Sequence, residues 1–187
     1  MEFERALYSR RAVREYSDEP VDEATLRRLI DAAVQAPSAL NEQPWAFSVV
    51  RDPIALGRIA EAAKAHALAT APDLDLPERL QTRLADPNFD IFYSAPALVV
   101  ISSMTQGPWA VVDCALAAEN LMLAARDAGL GSCWIGFAQG WLGTPAGKAA
   151  IGAPETWRPV APIIVGYPES QPAPVPRKEP EVIWIGK

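Results

Sequence analysis

The sequence has little histidine and little cysteine, and this narrows the chemistry that it can perform. His66 is the only histidine, and it lies in the alanine-rich run AEAAKAHALAT, where a histidine on a solvated helix face is the simpler interpretation. Cys114 and Cys133 are too few and too far apart for a disulfide scaffold, a CxxC redox pair or a zinc site. We therefore expect reduced thiols, no metal site and chemistry that needs little imidazole.

Long apolar runs and an excess of positive charge are also missing. No stretch approaches the ~20 uninterrupted apolar residues of a membrane span, and the opening MEFERALYSRR has acidic residues where a signal peptide would be apolar. With 17 Lys and Arg against 23 Asp and Glu, the net charge is −6, which argues against broad binding to nucleic acid. We expect a cytoplasmic protein with neither a membrane nor a nucleic acid partner, and one domain over residues 1–187.

Helix and strand patterns alternate along the chain. VDEATLRRLIDAAVQAP predicts a helix capped by Asp22, and DPIALGRIAEAAKAHALA predicts one capped by Asp52 with Pro53 in its first turn. A long apolar helix is predicted in WAVVDCALAAENLMLAARDAG, with Gly129 at its end, and a short one near GTPAGKAAIG. The predicted strands follow NEQPW and lie in APALVVISSM, SCWIGF, VAPIIVGYP and the terminal EVIWIGK. This mixed order predicts a three-layer α+β or α/β domain.

Two segments have no clear period. Residues 72–95 mix prolines, charges and late aromatics, and we expect a mobile or lid-like connection there. Its aromatics Phe89, Phe92 and Tyr93 are as consistent with a core as with a platform for a substrate. The proline-rich tail from Pro168 to Pro180 is predicted to be extended and to reach away from its own body.

Two stretches early in the chain carry groups that can bind a ligand. SRRAVREY places Arg10, Arg11 and Arg14 within five positions. If the first helix continues, Arg10 and Arg14 share one face and can hold an anion, and the alternative is a solvated helix end with surface ion pairs. APSALNEQPWAF offers Ser38 and Asn41 on a turn between two prolines, either as ordinary turn chemistry or as partners for a heterocycle edge.

Two later stretches are also candidates. GLGSCWIGF is rich in glycine, but it lacks a third glycine in the dinucleotide pattern and precedes a strand, so it fails as a Rossmann fingerprint. Its glycines could still allow the backbone to approach a flat ligand closely. VPRKEPEVIW brings Arg177 and Lys178 together near the C-terminus, where a surface charge pair is the alternative.

Together and in this order, the four stretches resemble the nitroreductase family of FMN flavoproteins. The matching patterns are an RRxxR start, PSxxNxQPWxF, the helix and strand ENLMLAA and GLGSCWIG, and a terminal RKEPEVI. The resemblance covers nearly the whole chain, and residues 72–95 match least. It implies an α+β fold, a three-layer α/β/α sandwich with a mixed, mainly antiparallel sheet, in an intertwined homodimer with FMN at the interface.

The resemblance also implies which residues contact FMN. Arg10, Arg11, Ala12 and Arg14 would serve the cofactor, with Arg177 and Lys178 closing on its phosphate. Arg14 is the candidate for the flavin N1 and C2 carbonyl edge, where it would oppose the negative charge that appears on reduction. The remaining implied contacts are Pro37, Ser38 and Asn41 from the partner subunit, and Trp134, Ile135 and Gly136 along the ring.

The implied activity is hydride transfer from NADH or NADPH to flavin N5, and then to an electron-poor acceptor such as a nitroaromatic or a quinone. No side chain is expected to act as a catalytic residue, because the flavin carries the hydride. Flavoproteins of the same fold also act as dehydrogenases, dehalogenases or flavin-destructases, and these remain alternatives. A further alternative is not an enzyme at all but a flavin-binding or storage module with little turnover.

Three positions depart from the pattern of the family, and a cysteine lies beside the implied site. Ala12 and Ala39 stand where many relatives have serine, so two hydroxyl contacts are missing and the phosphate would depend more on arginine. Glu119 stands where glutamine is frequent, which we interpret as a structural variation. Cys133 lies beside the implied flavin strand, and a small buried thiol is a better interpretation than a redox partner.

Overall fold

An antiparallel sheet with helices on both faces forms the framework of the chain, in a computed structural model that describes residues 3–71, 77–170 and 172–186. Over these ranges the strands are β1 (Trp45–Val50), β2 (Ala97–Ser103), β3 (Gly131–Trp134) and β4 (Arg158–Gly166), in the sheet order β1-β2-β4-β3. The helices of the same ranges are α1 (Phe3–Ser9), α2 (Glu23–Ala33), α3 (Pro53–Thr70), α4 (Glu78–Ala85), α5 (Ala110–Asp127), α6 (Gly136–Leu142) and α7 (Pro145–Ala150). None of these helices is both long enough and apolar enough to cross a bilayer.

The two central strands are buried on both faces, which gives the fold its layers. Leu98 and Val100 of β2 belong to one core cluster with α3 and α6, whereas Val99 and Ile101 belong to a second cluster with α2 and α5. Alternate side chains of a strand point to opposite faces, so one continuous apolar run serves both cores. The α+β prediction is confirmed. The neighbouring strands of the described sheet all pair antiparallel, and the parallel component is a single bridge between Ala12 and Ser132.

Local signals place the major helices correctly. Asp22 Oδ1 accepts a hydrogen bond from Thr25 N at 2.7 Å at the start of α2, and Asp52 Oδ1 accepts one from Ala55 N at 2.7 Å at the start of α3. Such caps satisfy backbone donors that have no partner within the helix. After α5, Gly129 adopts φ +80°, the left-handed conformation that favours glycine at a helix end.

The connection before β2 is more ordered than the sequence suggests. Residues 77–95 contain α4 and a tight turn at Tyr93, which the sequence did not predict, and residues 72–76 lie outside the described ranges. The mobile or lid-like role of this connection stays a prediction. Lys64 of α3 donates hydrogen bonds to the backbone carbonyls of Asp86 and Phe89 and so fastens this segment to the body. These bonds come from a distant part of the sequence and leave no local signal.

The ends of two predicted strands differ in the structure. SCWIGF is a strand only as far as Trp134, and α6 begins at Gly136. The predicted terminal strand is wrong for residues 181–186, which form no strand and are exposed, and Lys187 lies outside the described ranges. A strand needs a partner edge for its backbone groups, and the described chain offers none to these residues. The described residues of the preceding tail, 172–180, also lack regular structure and are largely exposed.

Candidate functional site

The basic segment at residues 10–16 runs in an extended conformation beside β3. The backbone N–H of Val13 donates to the carbonyl of Ser132 at 3.0 Å, and this contact replaces helical hydrogen bonds after the end of α1. The prediction that Arg10 and Arg14 share a helix face is therefore wrong. Val13 is buried, while Ala12 and Arg14 on either side of it are exposed, so the segment is anchored through Val13 and presents Arg14 to solvent.

Two glycines paired across β3 and β4 make room for this segment. A Cβ on Gly131 would lie 2.6 Å from Val13 Cγ2, and a Cβ on Gly166 would lie 2.6 Å from Pro96 Cδ and 2.8 Å from Tyr16 Cδ1. Such distances are too short for any side chain, so glycine is required at both positions. The close approach that Gly131 allows is therefore to the chain's own basic segment.

Arg14 and the end of β3 line one cavity of about 320 Å³. Its lining includes Trp134, Ile135 and Gly136, which we call its floor, and Tyr93. The Cζ atom of Arg14 lies 5.9 Å from the centroid of the Tyr93 ring. The structure thus brings together four of the residues that the resemblance assigned to the flavin ring.

Cys133 also lines this cavity, but its thiol is buried. Burial raises the pKa of Cys133, and the nearby charges of Arg14 and Arg10 only partly oppose this effect. The thiol reaches the carbonyl oxygen of Trp134 at 3.7 Å. A protonated thiol in an apolar setting is a poor nucleophile, which favours the interpretation of a buried structural cysteine.

The other two arginines of the segment have partners within the chain. Arg10 Nε lies 3.2 Å from Glu119 Oε1 of α5. Arg11 Nη1 donates to the carbonyls of Tyr8 at 2.8 Å and Arg10 at 2.6 Å, while its buried Nε has no partner among the described residues. Glu119, which sequence reasoning treated as a structural variation, is thus in contact with a predicted cofactor residue. The sequence signal for this contact is the negative charge of Glu119 at a position where many relatives have the neutral glutamine.

The turn before β1 contains the predicted residues Pro37, Ser38 and Asn41. Ser38 Oγ accepts a hydrogen bond from Gln43 N at 3.0 Å, and Asp113 Oδ1 of α5 accepts one from Ala39 N at 3.2 Å. Asn41 and Gln43 both have positive φ, which residues other than glycine adopt only where the surroundings fix the backbone. The turn therefore presents its polar groups in a fixed shape.

The described chain does not bring this turn to the Arg14 cavity. β1 and β3 are the two edges of the sheet, three strand spacings or about 14 Å apart at the usual separation. Arg177 and Lys178 lie in the exposed tail and have no hydrogen bond or ion pair with any described residue. One chain thus holds the predicted contacts in three separate groups.

A larger cavity of about 460 Å³ lies at the start of α3. Arg51, Asp18 and Asp90 are its charged lining residues, and it contains none of the predicted cofactor contacts. The carboxylate of Asp90 already accepts hydrogen bonds from the backbone N–H groups of Phe92 and Ser94. We therefore place the candidate site in the smaller cavity, whose lining combines Arg14 with the apolar floor and Tyr93.

Comparison with known proteins agrees with the fold. The model of the nitroreductase family matches residues 7–167, a range that includes the basic segment, the whole described sheet and the cavity. The chain belongs to the nitroreductase family.

Curated proteins of similar sequence carry names for different activities. The chain is 33% identical over 165 residues, covering 88% of this chain and 84% of the relative, to an Archaeoglobus fulgidus protein with the provisional name NADH dehydrogenase/NAD(P)H nitroreductase. It is 31% identical over 186 residues, covering 91% and 83%, to 5,6-dimethylbenzimidazole synthase of Rhodospirillum rubrum.

Solved structures share the fold over the full chain. The nitroreductase with bound FMN from Bacteroides fragilis has a TM-score of 0.82 at 29% identity and covers 100% of both chains. Iodotyrosine deiodinase bound to FMN and 3-iodo-L-tyrosine has a TM-score of 0.79 at 26% identity, covering 98% of this chain and 99% of that one.

Proposed function

We propose that the protein is an FMN-dependent oxidoreductase that transfers hydride from NADH or NADPH to an electron-poor acceptor such as a nitroaromatic or a quinone. The observation that carries this proposal is the cavity at the end of β3, where Arg14 faces Trp134, Ile135 and Gly136. Membership of the family and the FMN in the Bacteroides fragilis nitroreductase support the choice of cofactor.

The residues of the cavity fit a flavin ring. Its volume of about 320 Å³ lies at the lower end of the range of small-molecule sites, roughly 300–1,000 Å³. A Cβ on Gly136 would meet nothing within 4 Å, so the floor is open to a planar group. Arg14 has no acidic partner among the described residues, which leaves its guanidinium available to a ligand.

FMN supplies the hydride chemistry when it is bound, and the side chains supply binding and electrostatics. Arg14 would face the ring edge that gains negative charge on reduction, and its guanidinium would oppose that charge. Arg10 would hold the phosphate together with Arg177 and Lys178, and the phosphate would depend more on these basic residues because Ala12 lacks the hydroxyl that many relatives provide. The hydrogen bond between Val13 and Ser132 keeps the segment that carries Arg10 and Arg14 on a fixed backbone.

We propose that two chains complete the site. The turn at residues 37–41 lies at the opposite edge of the sheet, where it can serve a partner's cavity instead of its own. Trp109, Val112 and Leu116 expose 60%, 51% and 41% of their surfaces on or beside α5, and the apolar tail at residues 182–185 is also exposed. Apolar surface of this kind supports an interface between chains, and an extended tail can lie across a partner.

The experiment starts with the purified protein. We expect a yellow protein that releases FMN, and not FAD, on heating, because the site offers no second phosphate clamp. Anaerobic addition of NADH and of NADPH should bleach the flavin, and a nitroaromatic or a quinone should restore its colour. A colourless protein that also fails to take up added FMN would contradict the proposal.

The names of the relatives define two further arms of the same experiment. Iodotyrosine is offered to the reduced protein to detect release of iodide, and oxygen is offered to detect loss of the flavin itself with formation of dimethylbenzimidazole. Steady-state oxidation of NAD(P)H with any acceptor separates an enzyme from a flavin-binding module with little turnover.

A further inference from the structure

We infer that the acceptor side of this site selects aromatic compounds that carry an anionic group such as a carboxylate, and that Arg83 of α4 is the residue that selects them. The inference rests on the proposed function, and it adds a class of acceptor and a specificity residue that the resemblance did not provide. The residues that carry it are Arg83, Phe89 and Tyr93, all in the segment between α3 and β2.

Phe89 and Tyr93 form an aromatic wall, of which Tyr93 lines the cavity and Phe89 lies outside its lining. Their ring centroids are 5.5 Å apart and the ring planes are inclined by 74°, an edge-to-face pair. Tyr93 belongs to the lining of the cavity, so one end of this wall faces the proposed flavin site. Phe89 extends the wall towards α4.

Arg83 lies against both rings of this wall. Its Cζ atom is 4.6 Å from the centroid of Phe89 and 5.6 Å from the centroid of Tyr93. Arg14 approaches the same Tyr93 ring at 5.9 Å. Two guanidinium groups therefore meet at one tyrosine, with Arg14 inside the cavity and Arg83 beside its wall.

The wall is held in place before any ligand binds. Tyr93 and Ser94 have φ values of +54° and +55°, and Asp90 fixes this turn by accepting hydrogen bonds at 2.8 Å from the backbone N–H groups of Phe92 and Ser94. Lys64 holds the carbonyl of Phe89 at 2.8 Å. Two consecutive left-handed residues are costly, and their presence here indicates that the position of Tyr93 is tightly specified.

The charge of Arg83 is not neutralised within the described part of the chain. No described acidic side chain pairs with it, and no described acceptor takes its N–H groups. Asp86 and Asp90, the acidic residues of the adjoining turn, accept hydrogen bonds from backbone N–H groups. Contact with a ring uses the flat face of a guanidinium and leaves its in-plane donors for a carboxylate.

These features together define the ligand. An aromatic ring can pack beside Tyr93 over the apolar floor, and the guanidinium of Arg83, which has no acidic partner among the described residues, favours an acidic substituent on that ring. Arg14 does not serve this purpose in our proposal, because the cofactor occupies its charge. A neutral aromatic would use the same wall without the contact to Arg83.

The test uses the full chain loaded with FMN and measures binding of benzoate and of the uncharged benzamide through the change in flavin absorbance. We expect benzoate to bind more tightly to the wild type. Arg83→Gln should weaken benzoate about tenfold, the usual worth of one hydrogen bond to a charged group, and leave benzamide unchanged. Arg79→Gln, on the same helix and without a ring contact among the described residues, is the matched control and should leave both unchanged.

A second measurement uses protein that has been reduced chemically and compares its reoxidation by 4-nitrobenzoate and 4-nitrobenzamide. Arg83→Gln should slow only the former at low concentration, and Arg83→Lys should retain part of the preference because it keeps the charge. Equal binding of benzoate and benzamide to the wild type, or an equal loss in Arg83→Gln and Arg79→Gln, would overturn the inference. Failure of NADH and NADPH to reduce the flavin would contradict the proposed function, whereas the comparison of benzoate with benzamide would still decide the role of Arg83.

Discussion

Arg10 Nε lies 3.2 Å from Glu119 Oε1, so the two side chains form an ion pair. In the proposed function the same guanidinium binds the phosphate of FMN. The two side chains are 23% and 44% exposed, and a pair of this kind contributes about 0 to 1 kcal/mol to stability. The pair is therefore weak enough for a phosphate to displace it, and Glu119 acts as a competitor for Arg10.

Removing this competitor should strengthen cofactor binding. Glu119→Gln leaves the shape of the side chain but removes its charge, and we expect the dissociation constant of FMN to fall by up to about fivefold, which corresponds to ~1 kcal/mol. Titration of the apoprotein followed by flavin fluorescence measures it. Glu23→Gln, which breaks the exposed pair with Arg27 on α2, is the control. Unchanged or weaker binding in Glu119→Gln would contradict the competition.

The phosphate contacts should affect affinity without affecting redox potential. Arg10→Ala or Arg177→Ala should weaken FMN binding by roughly 1.5 to 3 kcal/mol, the worth of a hydrogen bond to a charged group. The midpoint potential of the flavin that remains bound should change little. Arg58→Ala on the exposed side of α3 is the comparison variant. Full affinity in both test variants would leave these residues without a role at the phosphate.

Arg14 should behave in the opposite way. Arg14→Gln should leave oxidised FMN bound but make its midpoint potential more negative, because the lost charge stabilises mainly the reduced cofactor. Reduction by NAD(P)H should slow as well. Potentiometric titration of wild type and variant decides this, with Arg51→Gln from the larger cavity as a control. An unchanged potential would remove Arg14 from the mechanism.

The tail should be required for both assembly and cofactor. Deletion of residues 171–187 removes Arg177, Lys178 and the exposed apolar run that includes Ile183 and Trp184. We expect a lower dimer fraction by sedimentation and a lower flavin content by absorbance. The double substitution Ile183→Ser and Trp184→Ser keeps the length and the charges, and it should lower dimerisation more than phosphate binding. A truncated monomer with full occupancy by FMN would show that one chain makes the whole site.

The two cysteines should resist thiol reagents in the folded protein. Burial raises the pKa of Cys114 to about 12 and also raises the pKa of Cys133. At neutral pH each cysteine therefore carries a smaller fraction of thiolate than a free cysteine does. At a pH of about 8, both should react far more slowly than a free thiol of pKa about 8.5, and both should react rapidly after denaturation. A disulfide-exchange reagent followed by absorbance measures both rates. Fast reaction of Cys133 in the native protein would reopen a redox role for it.

Features that depend on neighbours in the sequence were predictable. Asp22 and Asp52 cap helices through bonds to residues three positions later, and Gly129 ends α5 through its own backbone conformation. By contrast, the basic segment is extended because Ser132 offers it a carbonyl, and Lys64 orders a connection that looks irregular in the sequence. Such interactions exist only once the fold is known.

In the candidate site too, contacts between distant parts of the chain could not be predicted from local sequence. The grouping of Arg14 with Trp134 followed from a resemblance to a family and not from any spacing, since the two lie far apart in the chain. The pairing of Arg10 with Glu119 and the contact of Arg83 with Tyr93 were missed, because each joins separate elements through long side chains. The apolar pattern of residues 181–186 indicated a strand, but a pattern cannot supply the neighbouring edge.

The bridges that join Ala12 to Ser132 and Tyr16 to Pro168 have a consequence for how the protein is made. The basic segment is synthesised more than 100 residues before β3 and the end of β4, to which these bridges join it. Until then the arginines have no fixed backbone, and contacts between such distant parts of a chain form slowly. A chain that stops before β3 lacks this anchor, so under the proposed function we expect it to bind no FMN.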